Sequence, residues 1–140
     1  MKVLGFDYGL SRIGVALGNT ETSMATPLCA FNRKNQQPPW EAIEALIQEW
    51  RPNRLVVGQP LYNDGTKSEF TEQAEKFGRQ LSGRFSLDVD MVSEQLSSLE
   101  AEQRLKSSRQ AGRKKPIKKE EIDKLAAAII VESWLARQGL

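Results

Sequence analysis

MKVLGFDYGLSRIGVALG, residues 1–18, contains two apolar runs separated by a polar turn between Gly9 and Gly14. The first run predicts a buried strand that ends on a carboxylate, Asp7, and the second run predicts the other strand of a hairpin. An ionised carboxylate at the end of a core strand is costly unless a positive group meets it. A metal ion, a helix N-cap role or an arginine such as Arg12 would satisfy it, and the residues alone leave these alternatives open.

The rest of the chain alternates between strand and helix patterns. Strands are predicted at 27–31, 54–58 and 87–92, of which 54–58 is typical of a buried parallel strand. Helices are predicted between Pro39 and Pro52, after capping boxes of Thr66 with Glu69 and of Ser97 with Glu100, and along an apolar stripe from Ile122 to Trp134. Three alanines at 126–128 permit close packing of the last helix on a sheet. We therefore expect residues 1–140 to form one three-layer α/β domain, in which helices flank a mixed sheet.

The chain contains no histidine and a single cysteine, Cys29. This composition excludes Ser–His and Cys–His nucleophilic systems, histidine general bases, and zinc sites built from imidazole or several cysteines. A hydrolase of this composition would depend on carboxylates, lysine, or a hard ion such as Mg²⁺ or Mn²⁺ held by Asp and Glu. No apolar stretch is long enough to span a bilayer, and the first residues lack the shape of a signal peptide. We therefore expect a cytoplasmic protein without a membrane partner.

A net charge of +2 conceals a basic segment at residues 103–119, which contains no acidic residue. Its eight cations are Arg104, Lys106, Arg109, Arg113, Lys114, Lys115, Lys118 and Lys119. The other residues carry 12 basic and 18 acidic side chains, so the segment belongs to an otherwise acidic domain. The segment predicts contact with phosphate backbones, although a solvated loop kept soluble by lysines has the same pattern.

Two further carboxylates occur where predicted elements begin or end. Glu94 follows the strand predicted at 87–92, and Asp123 falls in the first turn of the last predicted helix. Each has a plain structural explanation, since Asp123 would complement the helix macrodipole and Glu94 would be an exposed turn residue. Together with Asp7, however, they suggest the hypothesis that three carboxylates form one site.

Four stretches of the chain resemble one family in the same order: FDYGLSRIGVALG at 6–18, VVGQPLYNDGTKSEFT at 56–71, SEQLSSLEA at 93–101 and KKEEIDKLAAAIIVESWL at 118–135. They resemble the YqgF family, small bacterial proteins described as Holliday junction resolvases and as nucleases that trim the precursor of 16S ribosomal RNA. The resemblance covers residues 2–136. It implies a ribonuclease H-like three-layer fold with a mixed five-stranded sheet, and a metal-dependent nuclease.

Carried over position by position, the resemblance implies that Asp7, Glu94 and Asp123 are the catalytic residues and hold one or two Mg²⁺ or Mn²⁺ ions. Such ions activate a water for attack on phosphorus and stabilise the leaving oxygen. Arg12 falls in the family's Arg-Ile-Gly position, where it would hold a phosphate or support Asp7. The implied partner is nucleic acid, either a ribosomal RNA precursor or branched DNA, bound by a monomer or a weak homodimer.

The chain departs from the family pattern on both sides of Glu94. Ser93 and Gln95 replace an aspartate and an arginine, and loss of a supporting acid would weaken metal binding by roughly 10–100-fold. Gln59 and Tyr62 likewise replace an apolar residue and an asparagine. A nucleic-acid-binding module without cleavage activity is therefore an alternative, and an ATPase related to the sugar kinases and actin is a more remote one.

Overall fold

The structure is a computed structural model that describes residues 1–33, 37–62, 64–94 and 118–139, with the backbone alone at Glu94. Among these residues, five strands form one mixed sheet in the order β3-β2-β1-β4-β5. The strands are β1 (Lys2–Tyr8), β2 (Arg12–Asn19), β3 (Met24–Asn32), β4 (Arg54–Pro60) and β5 (Val89–Glu94). Strands β1 to β3 are antiparallel, whereas β4 and β5 run parallel to β1. The predicted α/β fold with a mixed five-stranded sheet is confirmed.

Helices cover both faces of this sheet. α1 (Trp40–Trp50) and α2 (Glu69–Phe85) pack on one face, and α3 (Lys119–Arg137) packs on the other. Successive residues of β1 alternate between the two cores: Leu4 is buried with α1 and α2, and Val3 is buried with α3. The arrangement is the predicted three-layer architecture. None of the helices in the described ranges has the length and apolarity needed to cross a membrane.

α3 packs closely on the sheet because glycines of the strands face side chains of the helix. On the helix, the alanines at 126–128 are buried, as the sequence predicts. On the sheet, a Cβ atom added at Gly5 would lie 2.2 Å from Val131 Cγ2, and one added at Gly58 would lie 2.5 Å from Ile130 Cδ1. The glycines therefore leave the space that the helix fills.

The carboxyl-terminal part of α3 is anchored at the edge of the sheet where the parallel strands β4 and β5 begin. Trp134 Nε1 donates a hydrogen bond of 2.7 Å to Asp90 Oδ2 of β5. Arg54 Nη1 of β4 donates to the other oxygen of the same carboxylate at 2.8 Å. Asp90 thus ties the last helix to the amino ends of two parallel strands.

The start of α2 differs from the prediction. The capping box of Thr66 with Glu69 is wrong, because Ser68 is the N-cap and exchanges hydrogen bonds with Thr71. Thr66 is held by the preceding turn, since its backbone nitrogen and its Oγ1 both donate to Asp64 Oδ1. The Asp-Gly turn therefore keeps Thr66 out of the helix, which begins two residues later than the pattern indicates.

Other boundaries also shift. β3 begins three residues before the predicted strand, at Met24, because β2 continues to pair with it as far as Asn19. β5 extends to Glu94 because β4 pairs with it up to Pro60. α1 begins at Trp40 with Pro39 as its N-cap, within the range predicted between Pro39 and Pro52. The predicted capping box of Ser97 with Glu100 lies outside the described residues.

Candidate active site

Asp7 lies near the carboxyl end of β1, in the middle of the sheet. The parallel strands β1, β4 and β5 end at one edge, at Tyr8, Pro60 and Glu94. Because side chains alternate along a strand, Asp7 shares the α3 face with Val3, whereas Tyr8 belongs to the opposite core. The Asp7 side chain is partly buried. A carboxylate at the end of a core strand is therefore present as predicted, on the face that α3 covers.

Gly14 brings Asp123 next to Asp7. It is the register partner of Asp7 in the β1–β2 hairpin. It also lies against the backbone of α3, since a Cβ atom added at Gly14 would lie 2.0 Å from the carbonyl oxygen of Asp123. Only glycine permits so close an approach. Two of the three predicted site residues, 116 positions apart in the sequence, therefore lie beside the same residue.

Arg12 forms an ion pair with Asp123. Its Nε donates a hydrogen bond to Asp123 Oδ2, and the two side chains are 26% and 18% exposed. Within the described ranges, no acceptor is hydrogen-bonded to its Nη1 or Nη2. The sequence suggested a phosphate or Asp7 as its partner, so the contact with Asp123 is a finding of the structure. The two residues are 111 positions apart, and no local pattern connects them.

The position of Asp123 in its helix also differs from the prediction. α3 begins at Lys119, so Asp123 belongs to the second turn, and the acidic residues of the first turn are Glu120 and Glu121. The macrodipole acts mainly within the first turn. A role in complementing the dipole therefore explains Asp123 less well than it explains its two acidic neighbours.

Glu94 is the last residue of β5. Its backbone pairs with Pro60, at the edge where β1 also ends. This placement corrects the prediction that Glu94 follows the strand, because the ladder with β4 continues for two residues more than the apolar pattern shows. The side chain of Glu94 lies outside the described residues.

The donor atoms at this edge fit a hard divalent ion. Asp7 and Asp123 supply carboxylate oxygens, the ligands that Mg²⁺ and Mn²⁺ prefer. Among the residues whose side chains are described, no group of three or more His, Cys, Asp or Glu could hold a metal ion. The third predicted ligand, Glu94, is outside that set. The carboxylates of Asp7 and Asp123 thus match the predicted ion in chemistry. β5, which ends with Glu94, reaches the same edge of the sheet.

Two of the departures from the family pattern contact each other. Ser93 Oγ donates a hydrogen bond of 3.2 Å to Gln59 Oε1, and Gln59 Nε2 donates one of 3.2 Å to Glu75 Oε2 of α2. Lys67 Nζ donates to the same Glu75 oxygen at 2.9 Å and holds the pKa of Glu75 below its usual value. This network lies on the α2 face, opposite to Asp7. The position of residue 93 therefore does not favour the expectation that an acid there would support the metal site, and Gln95 lies outside the described residues.

The basic segment enters the described structure at the start of α3. Lys118 is the N-cap of the helix, Lys119 is its first residue, and both are exposed. They precede Asp123 by about one turn. The other predicted nucleic-acid-binding cations of the segment lie outside the described residues: Arg104, Lys106, Arg109, Arg113, Lys114 and Lys115.

The molecule has the ribonuclease H-like fold of the resolvases. RuvC of Thermus thermophilus, solved in complex with a Holliday junction substrate, matches it with a TM-score of 0.60 at 18% identity, over 99% of this chain and 97% of the RuvC chain. The Fowlpox virus resolvase, solved with Holliday junction DNA, matches with a TM-score of 0.58 at 10% identity, over 99% of each chain. At these identities the likeness establishes the fold alone.

Within this class the chain belongs to the RuvX family, described as Holliday junction resolvase, whose model matches residues 1–137. The resemblance to the YqgF family, another name for it, is confirmed. A relative from Pseudomonas paraeruginosa is 47% identical over 136 residues, which are 96% of this chain and 91% of the relative. One from Azotobacter vinelandii is 46% identical over 138 residues, which are 97% and 94% of the two chains. Both carry the provisional name of pre-16S rRNA nuclease.

Proposed function

We propose that residues 1–140 form a single-domain, divalent-metal-dependent nuclease that hydrolyses phosphodiester bonds in structured nucleic acid. The substrate of this proposal is the 5′ end of the 16S ribosomal RNA precursor, in line with the names of the relatives. The observation that carries the proposal is the placement of Asp7 and Asp123 beside Gly14, at the sheet edge where β5 ends at Glu94.

In this proposal Asp7, Glu94 and Asp123 are the catalytic residues and the ligands of Mg²⁺ or Mn²⁺. The bound ion would lower the pKa of a water that attacks phosphorus and would stabilise charge on the leaving oxygen. The chain itself contributes rigidity, because Asp7 belongs to a central strand and Asp123 to a helix packed on Gly14. Carboxylates fixed in this way need little reorganisation when the substrate arrives.

The basic segment would hold the phosphate backbone of the substrate. Lys118 and Lys119 lie about one helical turn from Asp123. A nucleic-acid strand bound along the basic segment would therefore pass close to the carboxylates of the proposed site. Contacts of lysine and arginine with phosphates position a nucleic acid without reading its sequence. The choice between RNA and DNA therefore depends on contacts other than these charges.

A cleavage assay tests the proposal directly. Wild type, Asp7→Asn and Asp123→Asn would be compared in Mg²⁺ and in Mn²⁺, on a 16S precursor RNA and on a four-way DNA junction. Asp88→Asn is the matched control, because Asp88 is 81% exposed and lies at the other end of the sheet. We expect metal-dependent cutting of the RNA by wild type and control only. Cutting by the Asp7 variant would refute the proposed site, and preferred cutting of the junction would assign the activity to branched DNA.

We further propose that the protein acts in the cytoplasm as a monomer or a weak homodimer. Sedimentation velocity over a range of concentrations would measure the oligomeric state. A tight dimer that persists on dilution would contradict this part of the proposal.

A further inference from the structure

The ion pair between Arg12 and Asp123 places a permanent cation on a proposed metal ligand. Arg12 uses one donor, Nε, and engages one carboxylate oxygen, Oδ2. The four hydrogens on its two terminal nitrogens have no acceptor among the described residues, and the side chain is 26% exposed. A guanidinium whose two terminal nitrogens have no acceptor in the described part of the chain suits a phosphate group.

Electrostatics explains why a cation belongs at this position. Asp7 and Asp123 both neighbour Gly14, so two negatively charged residues belong to the same part of the sheet edge. Without a divalent ion, Arg12 supplies one of the positive charges that the pair of carboxylates requires. With a divalent ion on Asp123, the guanidinium and the ion repel each other.

We propose that Arg12 competes with the divalent metal for Asp123 and that metal binding releases its guanidinium for a phosphate of the substrate. This inference rests on the proposed function, since it takes Asp123 as a metal ligand. Arg12 then offsets part of the negative charge of the carboxylates before loading and contacts the substrate after loading. It acts as an exchange partner of the metal and not as a static support of the fold.

The chain offers a matched control in Arg54. This arginine is also partly exposed, at 32%, and also pairs with an aspartate, Asp90, on the same sheet. It differs in that both of its terminal nitrogens are paired, since Arg54 contacts Asp88 as well, and in that Asp90 also accepts the hydrogen bond of Trp134. Arg54 lies at the amino ends of the parallel strands, away from Asp7 and Asp123.

The test is a calorimetric titration of the full chain with Mn²⁺ alone, without nucleic acid. We expect Arg12→Gln to bind Mn²⁺ about tenfold more tightly than wild type, because a repelling charge is removed. Arg12→Lys should stay within about threefold of wild type, and Arg54→Gln within about twofold. With saturating metal, Arg12→Gln should nevertheless cleave at least about tenfold more slowly, because the phosphate contact is lost. Opposite effects on affinity and on cleavage are a result that a purely structural role would not produce.

Unchanged or weaker Mn²⁺ binding by Arg12→Gln would overturn the inference, as would an absence of binding by both wild type and variant. If Arg12→Gln does not fold, Arg12→Met replaces it, since methionine keeps an apolar stem without the charge. Failure of both to fold would assign Arg12 a structural role and overturn the inference as well. The proposed function fails separately, through cleavage that survives in Asp7→Asn, so the two failures are distinguishable.

Discussion

A Cβ atom at Gly14 would lie 2.0 Å from the carbonyl oxygen of Asp123, so the last helix touches the second strand backbone to backbone at this point. Asp7 pairs with the same glycine from the other side of the hairpin. The relative placement of the backbones of Asp7 and Asp123 is therefore set by packing around one residue without a side chain. Any side chain there has to move α3 or the hairpin.

Gly14→Ala should lower both stability and activity. The added methyl group meets backbone atoms, which cannot turn away, so we expect a loss of about 1–3 kcal/mol and at least about tenfold slower metal-dependent cleavage. Gly58→Ala is the control, because the atom it meets at 2.5 Å is the terminal methyl of the Ile130 side chain and not a backbone atom. Thermal unfolding and cleavage rates would measure both effects. Equal losses of activity in the two variants would contradict the special role of Gly14.

Ser93→Asp restores the family's acid next to Glu94 but should not strengthen metal binding. The side chain of residue 93 reaches Gln59 on the α2 face, where a carboxylate would meet the oxygen of Gln59 and the charge of Glu75. We expect Mn²⁺ affinity within about twofold of wild type and a stability loss of about 0.5–1 kcal/mol. Ser93→Asn is the uncharged control. Clearly tighter Mn²⁺ binding by the aspartate variant alone would show that residue 93 does reach the ion.

Lys67→Met should reduce stability at neutral pH and have little effect in acid. The hydrogen bond from Lys67 lowers the pKa of Glu75 below its ordinary value of 4.5. A lowered pKa stabilises the folded state above the ordinary pKa, and the contribution is lost as the pH falls through the folded-state value. Since the pair is partly exposed, we expect at most about 0.5 kcal/mol. Thermal melting at about pH 7 and about pH 3 would measure the difference, which should vanish at the lower pH.

The control for this pH dependence is Lys76→Met, because Lys76 is an exposed lysine of α2, the helix that contains Glu75. It should show no comparable change between the two conditions. A stability loss in Lys67→Met that persists undiminished in acid would mean that the stabilisation does not depend on the charge of Glu75.

Trp134→Phe should destabilise the protein by about 1–2 kcal/mol while leaving cleavage near the wild-type rate at low temperature. The change removes the hydrogen bond from Trp134 Nε1 to Asp90 at the end of α3 remote from Asp123. Trp50→Phe is a suitable control, because Trp50 is partly buried in the core on the other face. Chemical denaturation would give the free energy of unfolding. Equal losses in both variants would attribute the effect to ring size and not to the hydrogen bond.

Reversing the charge of Arg113, Lys114 and Lys115 should weaken nucleic-acid binding and flatten its dependence on salt. Each lost phosphate contact reduces the salt slope by about one. Binding measured at several salt concentrations would test this, with Lys76→Glu as a control outside the basic segment. An unchanged salt slope in the triple variant would indicate that the segment is a solvated loop.

The parts of this molecule that depend on local sequence could be predicted, and those that depend on distant contacts could not. The β1–β2 hairpin and its terminal Asp7 follow from apolar runs and glycine spacing, because neighbouring strands joined by a short turn need no long-range information. The buried alanines at 126–128 indicated a close helix–sheet contact in the same way. The partner of Arg12 lies 111 positions away, so only the folded chain reveals the ion pair with Asp123.

Element ends were the weaker part of the prediction. Thr66 fits a capping box by its spacing to Glu69, yet its backbone nitrogen and its hydroxyl donate hydrogen bonds to the side chain of Asp64. The ladder between β4 and β5 extends the last strand to Glu94, beyond its apolar residues. In both cases a competing hydrogen bond decides the boundary, and spacing rules do not weigh such competition.

The order in which the chain is synthesised gives the contact at Gly14 a further meaning. Asp7 and Gly14 emerge early in translation and can pair within their hairpin, whereas Asp123 follows more than a hundred residues later. A nascent chain therefore holds only part of the proposed metal site, however well its first strands have folded. On the proposed function, a chain whose last helix has not yet docked lacks Asp123 at the site and is expected to be inactive.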